Sequence, residues 1–353
     1  MLKLFEKIGL SALQHINPET AHNLALLYLR TGVSSRRECP KYQRLQTKIA
    51  GLPIDNPIGL AAGFDKNGTA LDALSRLGLG FVEIGAVTPK AQTGNSKPRL
   101  FRVPAERAVI NHFGFNNDGM IKVNKRLQKY KKKSVIGLNI GANKTSINMK
   151  SNYSQVLLHC GDNVDFATIN VSSPNTKDLR NFQKSDVLGE LLSEVMEANN
   201  QLKKSIPIFI KIAPELKNSE LEKIVASCFE HKLSGIIATN TSTDYTIIKS
   251  SKDFTKGGIS GAPLFKKSTK VLARLSIISN GEIPLIGVGG VSSGKDAFAK
   301  ICAGATAVQL YSSLIFNGPR LIEYIIHDLN SILKEHGYKN VSEAVGSKKH
   351  QYT

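Results

Sequence analysis

The stretch Pro284–Ser312, PLIGVGGVSSGKDAFAKICAGATAVQLYS, holds one full turn of a strand–helix–strand rhythm. Pro284–Gly289 is a short apolar run closed by glycine, Gly294–Ala303 has helical spacing, and Ala307–Ser312 is apolar again. Strands buried on both faces read as near-continuous apolar runs, and parallel neighbours need a helical crossover between them. The rhythm continues outward through Ile58–Gly63, Phe81–Val87, Val135–Ile140, Phe166–Ser172, Pro207–Ala213 and Gly235–Asn240. With the two runs in the quoted stretch, that makes eight. Helices are predicted between and after them at Thr69–Leu77, Met120–Tyr130, Tyr153–His159, Val187–Lys204, Ser219–His231, Lys267–Ser279, Gly294–Ala303 and Pro319–Lys334. Eight such units close into an α/β fold of the (β/α)8 TIM-barrel type, although an open doubly wound sheet would show the same alternation.

Three connections, Thr88–Asp118, Ser173–Asp186 and Thr241–Phe265, are longer than a barrel requires, and all follow predicted strands. They therefore belong to the C-terminal face, where barrel enzymes assemble their sites. Before the first strand, Leu2, Leu4, Phe5, Ile8, Ala12, Leu13 and Ile16 follow helical spacing. Asn17-Pro18-Glu19 then supplies an N-cap, a first-turn proline and a dipole-matched carboxylate for a second helix with Ala21, Leu24, Ala25, Tyr28 and Leu29 on one side. Such a hairpin either packs on the barrel or lies at a membrane surface. The expected division is residues 1–36 as this hairpin, 37–340 as the barrel, and 341–353 as a basic tail.

The 353 residues carry 47 Lys and Arg against 28 Asp and Glu, a net charge of +19 that favours anionic partners without naming one. No apolar run approaches the ~18–20 residues that would span a bilayer. Met1–Arg30 also lacks the apolar region and small-residue cleavage site of a secretory signal. The four cysteines, Cys39, Cys160, Cys228 and Cys302, are too scattered for a zinc site or disulfide framework, and the histidines show no metal spacing. No metal site is expected.

Polar residues gather at the strand ends: Lys66, Asn139, Asn170, Ser172, Ser173, Thr239, Asn240, Thr241, Tyr311 and Ser312. Amides, hydroxyls and lysines suit a hydrogen-bonding heteroaromatic ligand with an anionic group. The absence of paired carboxylates or a His triad argues against glycosidase or Ser-His-Asp chemistry. Lys211 interrupts the apolar run PIFIKIAP. It either pairs with a buried carboxylate or faces an electron-rich cofactor ring such as a flavin, whose reduced anion a cation stabilises. Gly287–Gly294 followed by Ala303–Ser312 has the layout of a barrel phosphate site, and Gly257–Gly261 adds a further glycine turn. A serine hydroxyl such as Ser173 is an awkward general base, because its ordinary pKa is far from neutral.

Taken together, NPIGLAAGFDKNG (Asn56–Gly68), EIGAVTP (Glu83–Pro89), PRLFR (Pro98–Arg102), INHFGFNN (Ile110–Asn117), GLNIGANK (Gly137–Lys144), INVSSPNT (Ile169–Thr176), IKIAP (Ile210–Pro214) and ATNTS (Ala238–Ser242), with GGISG, IGVGG and QLYS, resemble the class 2, quinone-dependent dihydroorotate dehydrogenases. The resemblance runs in order from about Leu10 to Glu335. It implies oxidation of dihydroorotate to orotate in pyrimidine synthesis, with FMN as cofactor and a ubiquinone-type quinone as acceptor. It makes Ser173 the base that removes the C5 proton, with Phe115 and Thr176 shielding and relaying it. Lys66, Asn111, His112, Phe113, Gly114, Phe115, Asn170, Asn175, Asn240 and Thr241 would hold the pyrimidine. Ala62, Gly63, Phe64, Asp65, Lys66, Ala86, Asn139, Asn170, Lys211, Thr239, Gly261, Gly290, Tyr311 and Ser312 would hold FMN. His22, Arg102 and Tyr311 would line a quinone tunnel under the hairpin. The hairpin would rest on an anionic membrane at the cytoplasmic face of the bacterial inner membrane, and no nucleic acid is expected as partner. One departure is Ala86, where relatives usually carry a hydroxyl near the flavin. A tRNA-dihydrouridine synthase, also a flavin barrel, would need a catalytic cysteine at the mouth and a C-terminal RNA-binding domain, and neither is evident.

Overall fold

In the computed structural model the residues described are 9–31, 39–176, 179–183, 185–249, 254 and 256–353. Eight parallel strands form a closed barrel: β1 (Ile58–Leu60), β2 (Phe81–Val87), β3 (Val135–Ile140), β4 (Phe166–Asn170), β5 (Ile208–Ile212), β6 (Gly235–Ala238), β7 (Leu285–Val288) and β8 (Ala307–Leu310). Neighbours in sequence are neighbours in space, and β8 closes on β1 through Gln309 opposite Gly59. The open sheet is thereby excluded. Each predicted strand and helix has its counterpart, shifted by a few residues at the ends.

Side chains alternate across a strand, so every second residue points into the barrel. At the N-terminal end the inward set is Phe81, Phe166, Phe209, Ile237 and Ile286, all buried in one apolar cluster. Bulk at those positions requires its absence beside them. A β-carbon on Gly59 would lie 2.3 Å from the Phe81 ring, and one on Gly137 would lie 2.0 Å from the Phe166 ring. A short antiparallel hairpin, Thr47–Ile49 with Leu52–Ile54, closes this end by adding Ile49 and Ile54 to the cluster. One layer further along, the inward positions become Glu83, Asn139, Thr168, Lys211 and Gln309, all buried and all polar. The barrel is thus a dry plug at one end and a polar cup at the other.

Two of the three long connections contain strands that local pattern did not reveal. Leu100–Val103, Ala108–Asn111 and Gly258–Gly261 form an antiparallel sheet, with Gly258 opposite Asn111 and Leu100 opposite Asn111 on its other side. The first two strands form a hairpin within one connection, and the third comes from another connection far along the sequence. Of the N-terminal hairpin, residues 9–14 are helical, and Leu2, Leu4, Phe5 and Ile8 lie outside the described residues. The helix Pro18–Arg30 begins as its sequence dictates, with Asn17 Oδ1 accepting from the amides of Glu19 (3.0 Å) and Thr20 (3.2 Å). It packs on the strand Leu100–Val103 and on the helix Leu71–Leu74. Ile16, Leu24, Leu27 and Tyr28 stay exposed. No described helix is long and apolar enough to cross a membrane. Near the C-terminus, Val341 and Ala344 are buried, and the Gly346 and Lys348 amides donate to the Ile301 and Cys302 carbonyls.

Candidate active site

The polar cup opens into a cavity at the C-terminal mouth of the barrel, walled by strand ends, the loop after β4 and the antiparallel sheet. Its centre is a chain of amides. Asn139 donates to the Glu83 carboxylate (2.7 Å), Asn170 donates to the Asn139 carbonyl oxygen (2.8 Å), and Asn240 donates to the Asn170 carbonyl oxygen (3.2 Å). Asn240 also donates to Ser172 Oγ (3.0 Å), and Ser172 donates to the Lys211 backbone carbonyl (2.6 Å). Side chains from β3, β4 and the loops after β4 and β6 are therefore held in one orientation each, anchored on a buried carboxylate of β2. Glu83 has a second donor, Gln309 Nε2 at 2.6 Å. The other end of that amide, Gln309 Oε1, is buried without a partner among the described residues although it borders the cavity.

Ser173 follows this network on the loop after β4 and is only 6% exposed. Its Oγ accepts from the Asn175 amide at 3.3 Å. The Asn175 side chain donates to the Asn111 side chain (3.0 Å) and backbone carbonyl (3.1 Å), which ties the loop to the antiparallel sheet. Phe115 takes a left-handed φ of 54° and lays its ring against Gly141, where a β-carbon would approach to 2.8 Å. Phe115 and Ser173 both border the cavity.

Two lysines face the cavity. The Lys211 side chain, 5% exposed, makes no hydrogen bond to any described residue. Burial lowers its pKa, partly opposed by the charge of Glu83. The Lys66 ammonium is enclosed at the mouth, where it donates to the Gly63 carbonyl (2.8 Å) and lies 4.1 Å from the Phe113 ring centre. Burial brings it down to about 8, with Glu19 and Asp65 opposing. Both cations lack a carboxylate within ion-pair distance among the described residues, and that is costly unless an anion arrives from outside.

Beyond the cup, Gly289 (φ 111°) and Gly290 (φ 76°) turn the backbone after β7, and a β-carbon on Gly290 would lie 2.5 Å from Phe265 Cβ. Gly261 (φ 97°), Ser260 and Ser312 complete this lobe, with Ser312 and Ser260 hydroxyls 2.8 Å apart. Close backbone turns carrying N–H groups are what a phosphate requires.

The residues singled out from sequence largely converge. Ala62, Gly63, Lys66, Ala86, Asn111, Phe113, Gly114, Phe115, Asn139, Asn170, Ser173, Asn175, Lys211, Thr239, Asn240, Thr241, Gly261, Gly290, Tyr311 and Ser312 all border the one cavity. Others sit beside it. The Asp65 carboxylate is taken up by the amides of Thr69 (2.9 Å) and Ala70 (2.7 Å), so it shapes the turn after β1 and does not face the cavity. His112 reaches Asn175 Oδ1 (3.1 Å) from outside, and Thr176 is buried next to the loop. Phe64 stands between the cavity wall and the N-terminal helix, its ring 5.4 Å from His22 and 5.5 Å from Tyr311. Burial, with the nearby Lys66 charge, pushes His22 down to about 3, so it is neutral. Arg102 donates to the backbone carbonyls of Leu13 (2.7 Å) and Ile16 below the helix. Sequence reasoning passed over Glu83 and Gln309. Their signal was the same as that of Lys211: a polar residue inside an apolar strand, FVEIGAV and AVQLYS.

The family model of dihydroorotate dehydrogenase matches residues 44–333. Among curated relatives, a dihydroorotate dehydrogenase (quinone) of Cereibacter sphaeroides is 46% identical over 347 residues, covering 98% of either chain. One from Brucella anthropi is 45% identical over 348 residues, covering 97% of this chain and 95% of its own. The ligand-free dihydroorotate dehydrogenase structure of Eimeria tenella superposes with a TM-score of 0.90 at 35% identity, over 94% of this chain and 99% of that one. The ferulenol complex of the same enzyme gives 0.89 at 34% identity, over 96% and 98%.

Proposed function

The chain belongs to the dihydroorotate dehydrogenase family, and on that premise we propose how its own residues carry the reaction. It oxidises dihydroorotate to orotate in pyrimidine biosynthesis and passes the electrons to a quinone. The observation that carries the residue-level reading is that two lysines, Lys211 buried and Lys66 partly buried, border one cavity with no carboxylate within ion-pair distance among the described residues.

FMN fits the residues present. Lys211 offers an unpartnered cation for an electron-rich ring, the Gln309 carbonyl oxygen awaits a donor, and the glycine turns at Gly261 and Gly289–Gly290 suit a phosphate. When bound, FMN supplies a two-electron acceptor that a quinone can reoxidise. Lys66 pairs with the substrate carboxylate, and Asn111, Asn175 and Asn240 present amides to the ring edges. Dihydroorotate loses a proton from C5 and a hydride from C6, and Ser173 takes the proton. Its enclosure by Phe115 and the adjacent Thr176 answers the difficulty of a hydroxyl base, since the proton leaves along held groups and not through bulk water.

Residues 1–36 serve as the quinone entrance. His22, Phe64 and Tyr311 form an aromatic path between the helix Pro18–Arg30 and the cavity wall; Leu24, Leu27 and Tyr28 on that helix are exposed, as is Ile16 before it. With a net charge of +19, this surface suits peripheral attachment to an anionic bilayer at the cytoplasmic face of a bacterial inner membrane. The deciding experiment is anaerobic absorbance of the purified protein on adding dihydroorotate, then a ubiquinone analogue. Bleaching of a flavin band followed by recovery is expected; a flavin that dihydroorotate leaves oxidised would refute the assignment.

A further inference from the structure

Lys300 has no part in the scheme above, yet it is fully buried at 0% exposure on the helix Gly294–Cys302. Its ammonium donates to Ser268 Oγ (2.9 Å) and Thr269 Oγ1 (3.1 Å) and lies 5.1 Å from the Phe265 ring centre. No carboxylate lies within ion-pair distance of it among the described residues. The nearest acidic influence, Asp296, spends its carboxylate on the Ser292 amide (2.9 Å) and hydroxyl (2.8 Å). A buried ammonium held only by hydroxyls is expensive unless an anion sits close behind them.

What lies behind them is the turn after β7. Ser268 Oγ is 3.2 Å from the Gly289 carbonyl oxygen. A β-carbon on Gly289 would come within 2.8 Å of the same Oγ, and one on Gly290 within 2.5 Å of Phe265 Cβ. The Lys300 stem itself runs under Gly287, 3.1 Å from where a β-carbon would stand. All three glycines of the run GVGG therefore rest on a platform made by Lys300, Ser268 and Phe265.

Resting on the flavin reading above, we infer that Lys300 is a positioning residue for the cofactor phosphate. Through Ser268 and Phe265 it holds the Gly289–Gly290 turn in place, and its charge, shielded from water, supplies the positive field for a phosphate dianion seated on that turn. In the absence of the anion, burial pulls Lys300 down to about 7, the direction expected of a cation waiting for its counter-charge.

The test compares FMN with riboflavin, which has the same ring and no phosphate, on the full chain loaded by exchange and read by flavin fluorescence. Lys300→Met keeps the stem and removes the charge. FMN should bind on the order of tenfold to hundredfold more weakly, with riboflavin affinity unchanged within about twofold. Equal losses for both ligands would show a merely structural wedge and overturn the inference, as would unchanged FMN affinity. If Lys300→Met does not fold, Ser268→Ala removes only the intermediate hydroxyl. It should again weaken FMN more than riboflavin, and an equal effect on both would overturn the inference. A wild-type chain that binds neither flavin would instead overturn the cofactor reading on which this one rests.

Discussion

Replacing Glu19 by glutamine should loosen the N-terminal helix from the barrel. Arg99 donates to this carboxylate through Nε (3.1 Å) and Nη2 (2.7 Å), with the side chains 12% and 7% exposed. Breaking one partner of a buried pair costs about 3–5 kcal/mol, because the remaining charge is stranded. Here Arg99 Nη1 keeps the carbonyls of Thr93 and Asn95, which places the loss near the lower end, about 3 kcal/mol. That corresponds to about a hundredfold loss of protection. Hydrogen exchange read by mass spectrometry at pH 7 should show it in the amides of Ala21–Leu29, with the barrel strands unchanged. The effect has a pH signature. Burial alone would raise the Glu19 carboxyl, but the hydrogen bond and charge of Arg99, helped by Lys97 and Lys66, hold it below its ordinary value of 4.5. The stabilisation is therefore complete above about pH 4.5 and fades as pH falls through the lowered value, whereas the glutamine chain lacks that dependence. Less than about fivefold loss of protection, or an equal loss throughout the barrel, would refute the argument.

Ser173→Ala should slow flavin reduction by dihydroorotate about 10²–10⁴-fold in stopped flow while leaving orotate affinity nearly intact; lost binding with normal reduction would remove the base role. Lys66 is charged below about 8 in the ligand-free chain, so orotate affinity measured by titration should be constant at lower pH and weaken about tenfold per pH unit above it. A flat profile through pH 9 would exclude Lys66 as the carboxylate partner. Deleting residues 1–34 should abolish turnover with quinone yet spare dihydroorotate-driven bleaching, and loss of both would make the hairpin a structural part of the barrel.

The same Glu19–Arg99 pair marks the boundary between what was legible locally and what was not. Asn17-Pro18-Glu19 announces a helix start by itself, since cap, proline and carboxylate act within one turn. That Glu19 also anchors the helix depends on a partner 80 residues away, for which no periodicity exists. The eight barrel strands were readable because burial on both faces imposes apolar runs, and the interior lysine of β5 stood out against one. The strand Ala108–Asn111 was hidden inside a polar connection, because one of its two partners is Gly258–Gly261, about 150 residues downstream.

Sequence alone therefore determined the eight strand–helix units, the strand ends that carry the site and the residue types that gather there, because those follow from side-chain period and turn chemistry. Only the tertiary structure decided how the charges are spent. It turned Asp65 into the turn after β1, joined Gln309 to Glu83 across 226 residues, left Lys211 without a hydrogen bond to any described residue, and set Lys300 against Ser268, which reaches Gly289. Pairing of buried polar groups is a property of distance in space, and a chain that closes β8 onto β1 makes neighbours of residues that no local window contains.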